Sequence, residues 1–161
     1  MLFRFKSAEE IVTSLTKRGE TIAIAESITG GGISSALTDV PATSHVFLGA
    51  VVAYTVDIKI KDLGVRHETI SEFGVVSEAV AFEMAEGIRA RYQSTWAISS
   101  TGVAGPGPSH GIPAGTVWIA IIGPGRREAL ALSLAGDRDG VRRAAISSAL
   151  ATLERILLSY S

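Results

Sequence analysis

The sequence contains no cysteine, so disulfides, thiolate metal sites and cysteine nucleophiles are excluded. It has only three histidines, His45, His67 and His110, and they lack the spacing of metal-binding motifs. We predict that they are surface or loop residues. We therefore expect neither a metal site nor another cofactor.

No charge sign dominates: 15 Lys and Arg against 16 Asp and Glu give a formal net charge of −1. This balance argues against a nucleic-acid partner. No apolar run is long enough to span a membrane, and residues 1–6 lack the apolar core of a secretory signal, so we expect no membrane partner and a cytoplasmic location. The length of 161 residues predicts a single domain, 1–161, and the 47% hydrophobic content is enough for a core.

Apolar segments of strand length alternate with helical patterns along the chain. The predicted strands are 21–25, 50–55, 96–100, 116–122 and 128–134, and the predicted helices are 33–37, 57–63, 78–91 and 139–158. A capping box formed by Ser7 and Glu10 predicts one further helix, ending at Gly19. A short Gly-Pro-Gly turn joins the last two strands, which predicts an antiparallel hairpin. This pattern predicts an α/β fold, a three-layer α/β/α sandwich with a mixed five-stranded sheet.

The segment 27–32 combines small hydroxyls and glycines between the first strand and a helix start. Ser27 and Thr29 offer hydroxyl donors, and Gly30 and Gly31 let the backbone approach a ligand closely. The first N–H groups of a helix bind anions, which predicts a phosphate site here. A tight turn with a helix cap explains the same residues and stays open as the alternative.

Further polar residues follow the other predicted strands. Tyr54 and Lys59 come after the second strand, Thr101 and Gly102 after the third, and Arg138 after the hairpin. Open α/β sheets bind ligands at the ends of their strands, so these residues predict a pocket. Arginine suits phosphate, and a hydroxyl beside a lysine can act as a nucleophile with its general base. Each residue also has a purely structural interpretation, as a strand aromatic, a solvated charge or a helix-start ion pair.

The chain resembles the CinA C-terminal domain family through several short blocks in order. They are Ala25-Glu26-Ser27-Ile28-Thr29-Gly30-Gly31, Tyr54 with Lys59, Leu63-Gly64-Val65, Gly74-Val75-Val76-Ser77-Glu78, Thr101-Gly102-Val103-Ala104-Gly105-Pro106, Gly115-Thr116-Val117 and Gly136-Asp137-Arg138. This resemblance implies a nicotinamide-nucleotide amidase, which converts nicotinamide mononucleotide to nicotinate mononucleotide and ammonia in pyridine nucleotide salvage. A catalytically inactive nucleotide-binding module is the alternative. Many members also carry an N-terminal nucleotide-hydrolysing domain, whose activity we do not transfer to this sequence.

The resemblance also implies roles for single residues. Ser44 matches a family serine and is expected to be the nucleophile, with Lys59 as its general base and Tyr54 as a helper in proton transfer. Ser27, Thr29 and Thr101 match pocket hydroxyls, and Arg138 matches an arginine suited to the substrate phosphate. The expected partner is thus a small nucleotide substrate.

The separation of Ser44 from Tyr54 tests this assignment. A continuous strand over these ten positions would hold them about 33 Å apart, too far to share a site. The segment 44–49 must therefore coil as a helical turn, or a second subunit must complete the pocket. A homo-oligomer is accordingly part of the expectation.

Overall fold

A computed structural model describes residues 5–159 of the chain. The five strands are β1 (Ile22–Glu26), β2 (Phe47–Val52), β3 (Trp96–Gly102), β4 (Thr116–Gly123) and β5 (Arg126–Ser133). Within residues 5–159 the α-helices are α1 (Lys6–Arg18), α2 (Gly32–Thr38), α3 (Val56–Leu63), α4 (His67–Phe73), α5 (Glu78–Tyr92) and α6 (Arg138–Leu158). A 3-10 turn, Thr43–His45, precedes β2.

The five strands form one mixed sheet in the order β2-β1-β3-β4-β5. β1 pairs in parallel with both β2 and β3, whereas β4 is antiparallel to β3 and to β5. The carboxyl ends of the first three strands therefore lie at one edge of the sheet. Gly102 pairs with Val117, and Thr116 pairs with Ser133, so the start of β4 and the end of β5 reach the same edge.

Two apolar cores separate the sheet from the helices on its two faces. One core contains side chains of α1, α2 and α6, including Ile11, Ile33 and Leu150. The other contains side chains of α3 and α5, including Leu63, Met84 and Ile88. These layers confirm the predicted α/β/α sandwich with a mixed five-stranded sheet. Among residues 5–159, no helix has both the length and the apolar content needed to cross a membrane.

The main change from the predicted elements concerns β2, which covers Phe47–Val52 instead of 50–55. The strand ends early because Thr55 caps α3, its side chain accepting a hydrogen bond from the Ile58 amide. The predicted capping box is wrong, since α1 begins at Lys6 and the Ser7 hydroxyl donates to Glu154 instead. α4 was not predicted, and no side chain caps its start.

Candidate active site

A cavity of about 310 Å³ opens at the edge of the sheet where β1, β2 and β3 end. Segments that are far apart in sequence contribute its walls, because the sheet order brings their ends together. Its lining includes Ser27, Ile28, Tyr54, Lys59, Thr101, Gly102 and Arg138. The structure thus brings together most of the predicted site residues.

Lys59 is the chemically most unusual residue of the cavity because it is only 2% exposed. Its ammonium nitrogen contacts three oxygens: Ser27 Oγ at 2.8 Å, the Ala53 carbonyl at 2.8 Å and the Tyr54 carbonyl at 3.3 Å. Burial lowers the pKa of Lys59 to about 8, because desolvation penalises the charged form. At pH 7 about a tenth of the Lys59 side chains are therefore neutral.

The three contacts fix how a neutral Lys59 would be oriented. A neutral amine has two N–H donors and one lone pair, and backbone carbonyls can only accept hydrogen bonds. The Ala53 and Tyr54 carbonyls therefore take both N–H groups, which leaves the lone pair for the Ser27 hydroxyl. Both carbonyls are available because β2 ends at Val52. This is the arrangement that a general base needs toward a serine nucleophile.

The lowered pKa of Lys59 predicts a pH-dependent stability. Between about pH 8 and pH 10.5 the unfolded chain keeps a proton that the folded chain has lost, so the free energy of unfolding should rise with pH. Relative to Lys59→Met, the wild type should gain about 2–3 kcal/mol between about pH 7.5 and pH 10. Urea unfolding of both proteins at the two pH values measures this difference. A constant difference would mean that Lys59 titrates normally.

Ser44 does not lie in the cavity. It is exposed in the 3-10 turn before β2, whereas Tyr54 and Lys59 follow the other end of that strand. The chain coils only over Thr43–His45, and β2 alone then spans about 17 Å. The Lys59 nitrogen contacts the Ser27 hydroxyl instead. Within one chain, the geometry therefore pairs Lys59 with Ser27 rather than with Ser44.

The start of α2 is occupied by the protein's own carboxylate. Glu26 is fully buried, and it accepts hydrogen bonds from the Ile33 amide at 2.9 Å and the Ser34 amide at 3.0 Å. The Ser34 hydroxyl adds a further bond of 2.6 Å. These amides are therefore not free for a phosphate. The predicted anion site is therefore not formed by these first N–H groups of α2, because they already donate hydrogen bonds to Glu26.

Thr29 lies behind the cavity instead of lining it. Its side chain is fully buried, and its hydroxyl lies 2.6 Å from Glu26 Oε1 and 2.7 Å from Ser100 Oγ. Gly30 and Gly31 adopt the positive φ values of 58° and 98° that the turn requires. Thr29 and the two glycines thus shape the turn that carries Ser27.

Thr101 and Gly102 form the cavity wall that β3 contributes. The Thr101 hydroxyl donates to the Val75 carbonyl at 3.1 Å, which ties β3 to the segment before α5. At Gly102 a Cβ would lie 2.7 Å from the Thr116 carbonyl oxygen and 2.9 Å from a methyl of Ile28. Any larger side chain there would displace the wall beside Ser27.

Arg138 joins three segments at the mouth of the cavity. Its guanidinium donates to the Gly105 carbonyl and, at 3.1 Å, to the Tyr54 hydroxyl. Tyr54 is 60% exposed, and Arg138 is exposed as well. A guanidinium has five N–H donors in all, so donors remain for a ligand at the entrance. This arrangement places a positive charge where an anionic substrate would enter.

Sequence reasoning missed part of the lining. Ser109, His110 and Ile112 come from the Gly/Pro-rich connection between β3 and β4, and Val75 and Val76 precede α5. His110 is exposed, as predicted, but it also faces the cavity. Only the density of glycine and proline around these residues signalled a functional loop. Among residues 5–159, no group of three or more His, Asp or Glu side chains is placed to hold a metal ion.

Residues 4–157 match the family described as the CinA C-terminal domain. A CinA-like protein from Gloeobacter violaceus is 44% identical over 149 residues, which make up 91% of this chain and 35% of that protein. A CinA-like protein from Frankia casuarinae is 41% identical over 152 residues, or 94% of this chain and 35% of that protein. The chain therefore spans about a third of the length of these curated relatives.

Solved structures show the same fold over nearly the whole chain. The competence damage-inducible protein A from Klebsiella pneumoniae superposes with a TM-score of 0.94 at 35% identity, covering 98% of both chains. A competence/damage inducible protein from Agrobacterium tumefaciens gives a TM-score of 0.90 at 35% identity, covering 98% of this chain and 99% of that chain. Sequence and fold agree, and this chain belongs to the CinA C-terminal domain family.

Proposed function

We propose that this domain hydrolyses the carboxamide of nicotinamide mononucleotide, giving nicotinate mononucleotide and ammonia, with Ser27 as the nucleophile and Lys59 as the general base. The observation that carries the proposal is the 2.8 Å contact between Lys59 Nζ and Ser27 Oγ at the cavity wall. The choice of substrate rests on the family resemblance. Ser27 takes the role that the resemblance alone gave to Ser44.

In the first half of the reaction, Ser27 Oγ attacks the carboxamide carbon while neutral Lys59 accepts the hydroxyl proton. The carbonyl π electrons move to the oxygen, giving a tetrahedral intermediate. Lys59, now an ammonium, donates a proton to the amide nitrogen as the C–N bond breaks. Ammonia leaves, and an ester joins the nicotinate group to Ser27.

In the second half, water replaces ammonia. Lys59 removes a proton from the water, and the resulting hydroxide attacks the ester carbon. The bond to Ser27 Oγ then breaks, and Lys59 returns the proton to that oxygen. The acid leaves and Ser27 is regenerated. Lys59 thus ends the cycle neutral, in the form in which it began.

The cavity suits one small, anionic molecule. Its volume of about 310 Å³ lies at the lower end of the range for small-molecule sites. Arg138 at the mouth would bind the phosphate while the pyridine ring reaches Ser27. Tyr54 Oη would accept from the same guanidinium and help to hold it at the entrance.

Ammonia release from nicotinamide mononucleotide by the purified protein tests the proposal. We expect turnover, with kcat/KM rising about tenfold per pH unit below about pH 8 and levelling off above it, where Lys59 becomes mostly neutral. Tight binding of the nucleotide without ammonia release would instead indicate an inactive binding module.

Arg138→Ala should weaken only the binding of the substrate's phosphate group. Losing a charge-assisted pair costs about 1.5–3 kcal/mol, so we expect kcat/KM for nicotinamide mononucleotide to fall about 10- to 100-fold. Activity toward nicotinamide riboside, which lacks the phosphate, should change little. Arg143→Ala is the matched control, because Arg143 is an exposed arginine of the same helix that pairs with Asp139. Equal losses for both substrates would mean that Arg138 only holds the Gly105 loop in place.

A further inference from the structure

Two backbone N–H groups directly after Ser27 lack an acceptor among residues 5–159. They belong to Ile28 and Thr29, which are 5% and 0% exposed. The amides around them are paired: Ser27 donates to the Ser100 carbonyl, and Gly30 donates to the Ser27 carbonyl. More than nine in ten buried backbone groups in folded proteins are hydrogen-bonded. Ile28 lines the cavity, whereas Thr29 is fully enclosed, so the Ile28 N–H is the donor that a ligand atom beside Ser27 can reach.

Arg142 of α6 holds the carbonyls of the same two residues. Its Nε donates to the Ile28 carbonyl at 3.1 Å, and its Nη2 donates to the Thr29 carbonyl at 3.0 Å. In a planar trans peptide the C=O and the N–H point in opposite directions. The Thr29–Gly30 peptide that Arg142 holds also carries the Gly30 N–H, which donates to the Ser27 carbonyl at 3.1 Å and so fixes the peptide that carries the Ile28 N–H.

We propose that the Ile28 N–H group stabilises the oxyanion of the tetrahedral intermediate on Ser27, and that Arg142 is the positioning residue that fixes the turn carrying this N–H. The proposal rests on the proposed function, which supplies the intermediate. When Ser27 Oγ bonds to the carboxamide carbon, the carbonyl electrons move to oxygen, and that oxygen accepts from the Ile28 N–H. The charge leaves the oxygen when the C–N bond breaks and the carbonyl re-forms. Preorganised donors of this kind stabilise the transition states of acyl transfer strongly, because they need no reorientation as the charge develops.

The separation of roles between the arginines of α6 makes the proposal testable. Arg142→Met should lower kcat about 10- to 100-fold, because the peptides lose their anchor, and should leave KM within about twofold. Arg143→Met, which changes the adjacent exposed arginine, should leave both constants within about twofold. A merely structural role would instead lower the melting temperature without this split between kcat and KM.

The decisive probe is pyridine-3-boronic acid, whose boron accepts Ser27 Oγ and becomes a tetrahedral anion that mimics the intermediate. Boron NMR reports the tetrahedral adduct and its dissociation constant. Wild type and Arg143→Met should bind equally, and Arg142→Met should bind at least about tenfold more weakly. Equal affinity in Arg142→Met would overturn the proposal.

A glycine pair provides a second test that leaves Arg142 in the chain. A Cβ at Gly30 would lie 3.0 Å from Arg142 Nη2, whereas a Cβ at Gly19 would meet no atom within 4 Å. Both glycines have similar positive φ values, 58° and 65°, so alanine strains both backbones alike. Gly30→Ala should weaken boronate binding several-fold more than Gly19→Ala does. Equal effects would contradict a role for the guanidinium.

The outcomes separate this proposal from the function on which it rests. A wild-type adduct that weakens in Arg142→Met supports the proposal, even if nicotinamide mononucleotide proves not to be the substrate. Amide turnover together with an adduct that is unchanged in Arg142→Met overturns the proposal and leaves the function standing. Absence of both the adduct and turnover in the wild type overturns both.

Discussion

Replacing Ser27 by alanine should abolish ammonia release from nicotinamide mononucleotide, with kcat/KM falling by at least about a thousandfold. The physical reason is that the Ser27 hydroxyl is the one that Lys59 contacts, at 2.8 Å. Binding should persist, since the cavity walls and Arg138 are unchanged. Ammonia release and calorimetric titration of the nucleotide measure the two effects separately.

Ser44→Ala is the matched control for this experiment. Ser44 is exposed in the turn before β2, so its loss should change kcat/KM by less than about twofold. The reverse pattern, an inactive Ser44→Ala with an active Ser27→Ala, would restore the role that the family resemblance implies for Ser44. It would also require a second subunit to deliver that serine to Lys59.

Replacing Lys59 by methionine should lower kcat by about a hundredfold to ten-thousandfold, which is the usual effect of removing a general base. Methionine keeps much of the buried length of the side chain but cannot accept a proton. Lys59→Arg should be similarly inactive although it keeps the positive charge, because a guanidinium stays protonated. Steady-state ammonia release of the two variants measures the loss.

Lys61→Met controls for the general effect of losing a lysine on α3, since Lys61 is exposed two positions away. Its kcat should remain within about twofold of wild type. Activity retained in Lys59→Met would exclude Lys59 as the base, and the buried lysine would then have only a structural role.

The architecture could be predicted wherever local signals agree with the packing. Ser77 caps α5 through the Val80 amide, and Gly64 ends α3 in a left-handed conformation. The Gly-Pro-Gly turn gives the antiparallel pair β4 and β5. In each of these places, turn chemistry and hydrophobic periodicity predict the same element.

The candidate site could be predicted only as a collection of residues. Lys59 can face Ser27 because β2 ends at Val52. The apolar run 50–55 instead predicted that the strand continues to residue 55. Glu26 directly follows the predicted strand 21–25, and no local pattern indicates that its carboxylate accepts from the Ile33 amide at the start of α2. Arg142 contacts the turn after Ser27 through the packing of α6, which no spacing in the sequence encodes.

Labelling with pyridine-3-sulfonyl fluoride tests the Ser27–Lys59 pair most directly. Ser27 Oγ would attack the sulfur, fluoride would leave, and Lys59 would take the hydroxyl proton. Tandem mass spectrometry locates the modified residue, and the labelling rate is followed against pH. We predict a single sulfonyl group on Ser27, with a rate that rises with pH to a plateau and has its midpoint near pH 8. Labelling at Ser44, or a rate at Ser27 that Lys59→Met leaves unchanged, would contradict the account.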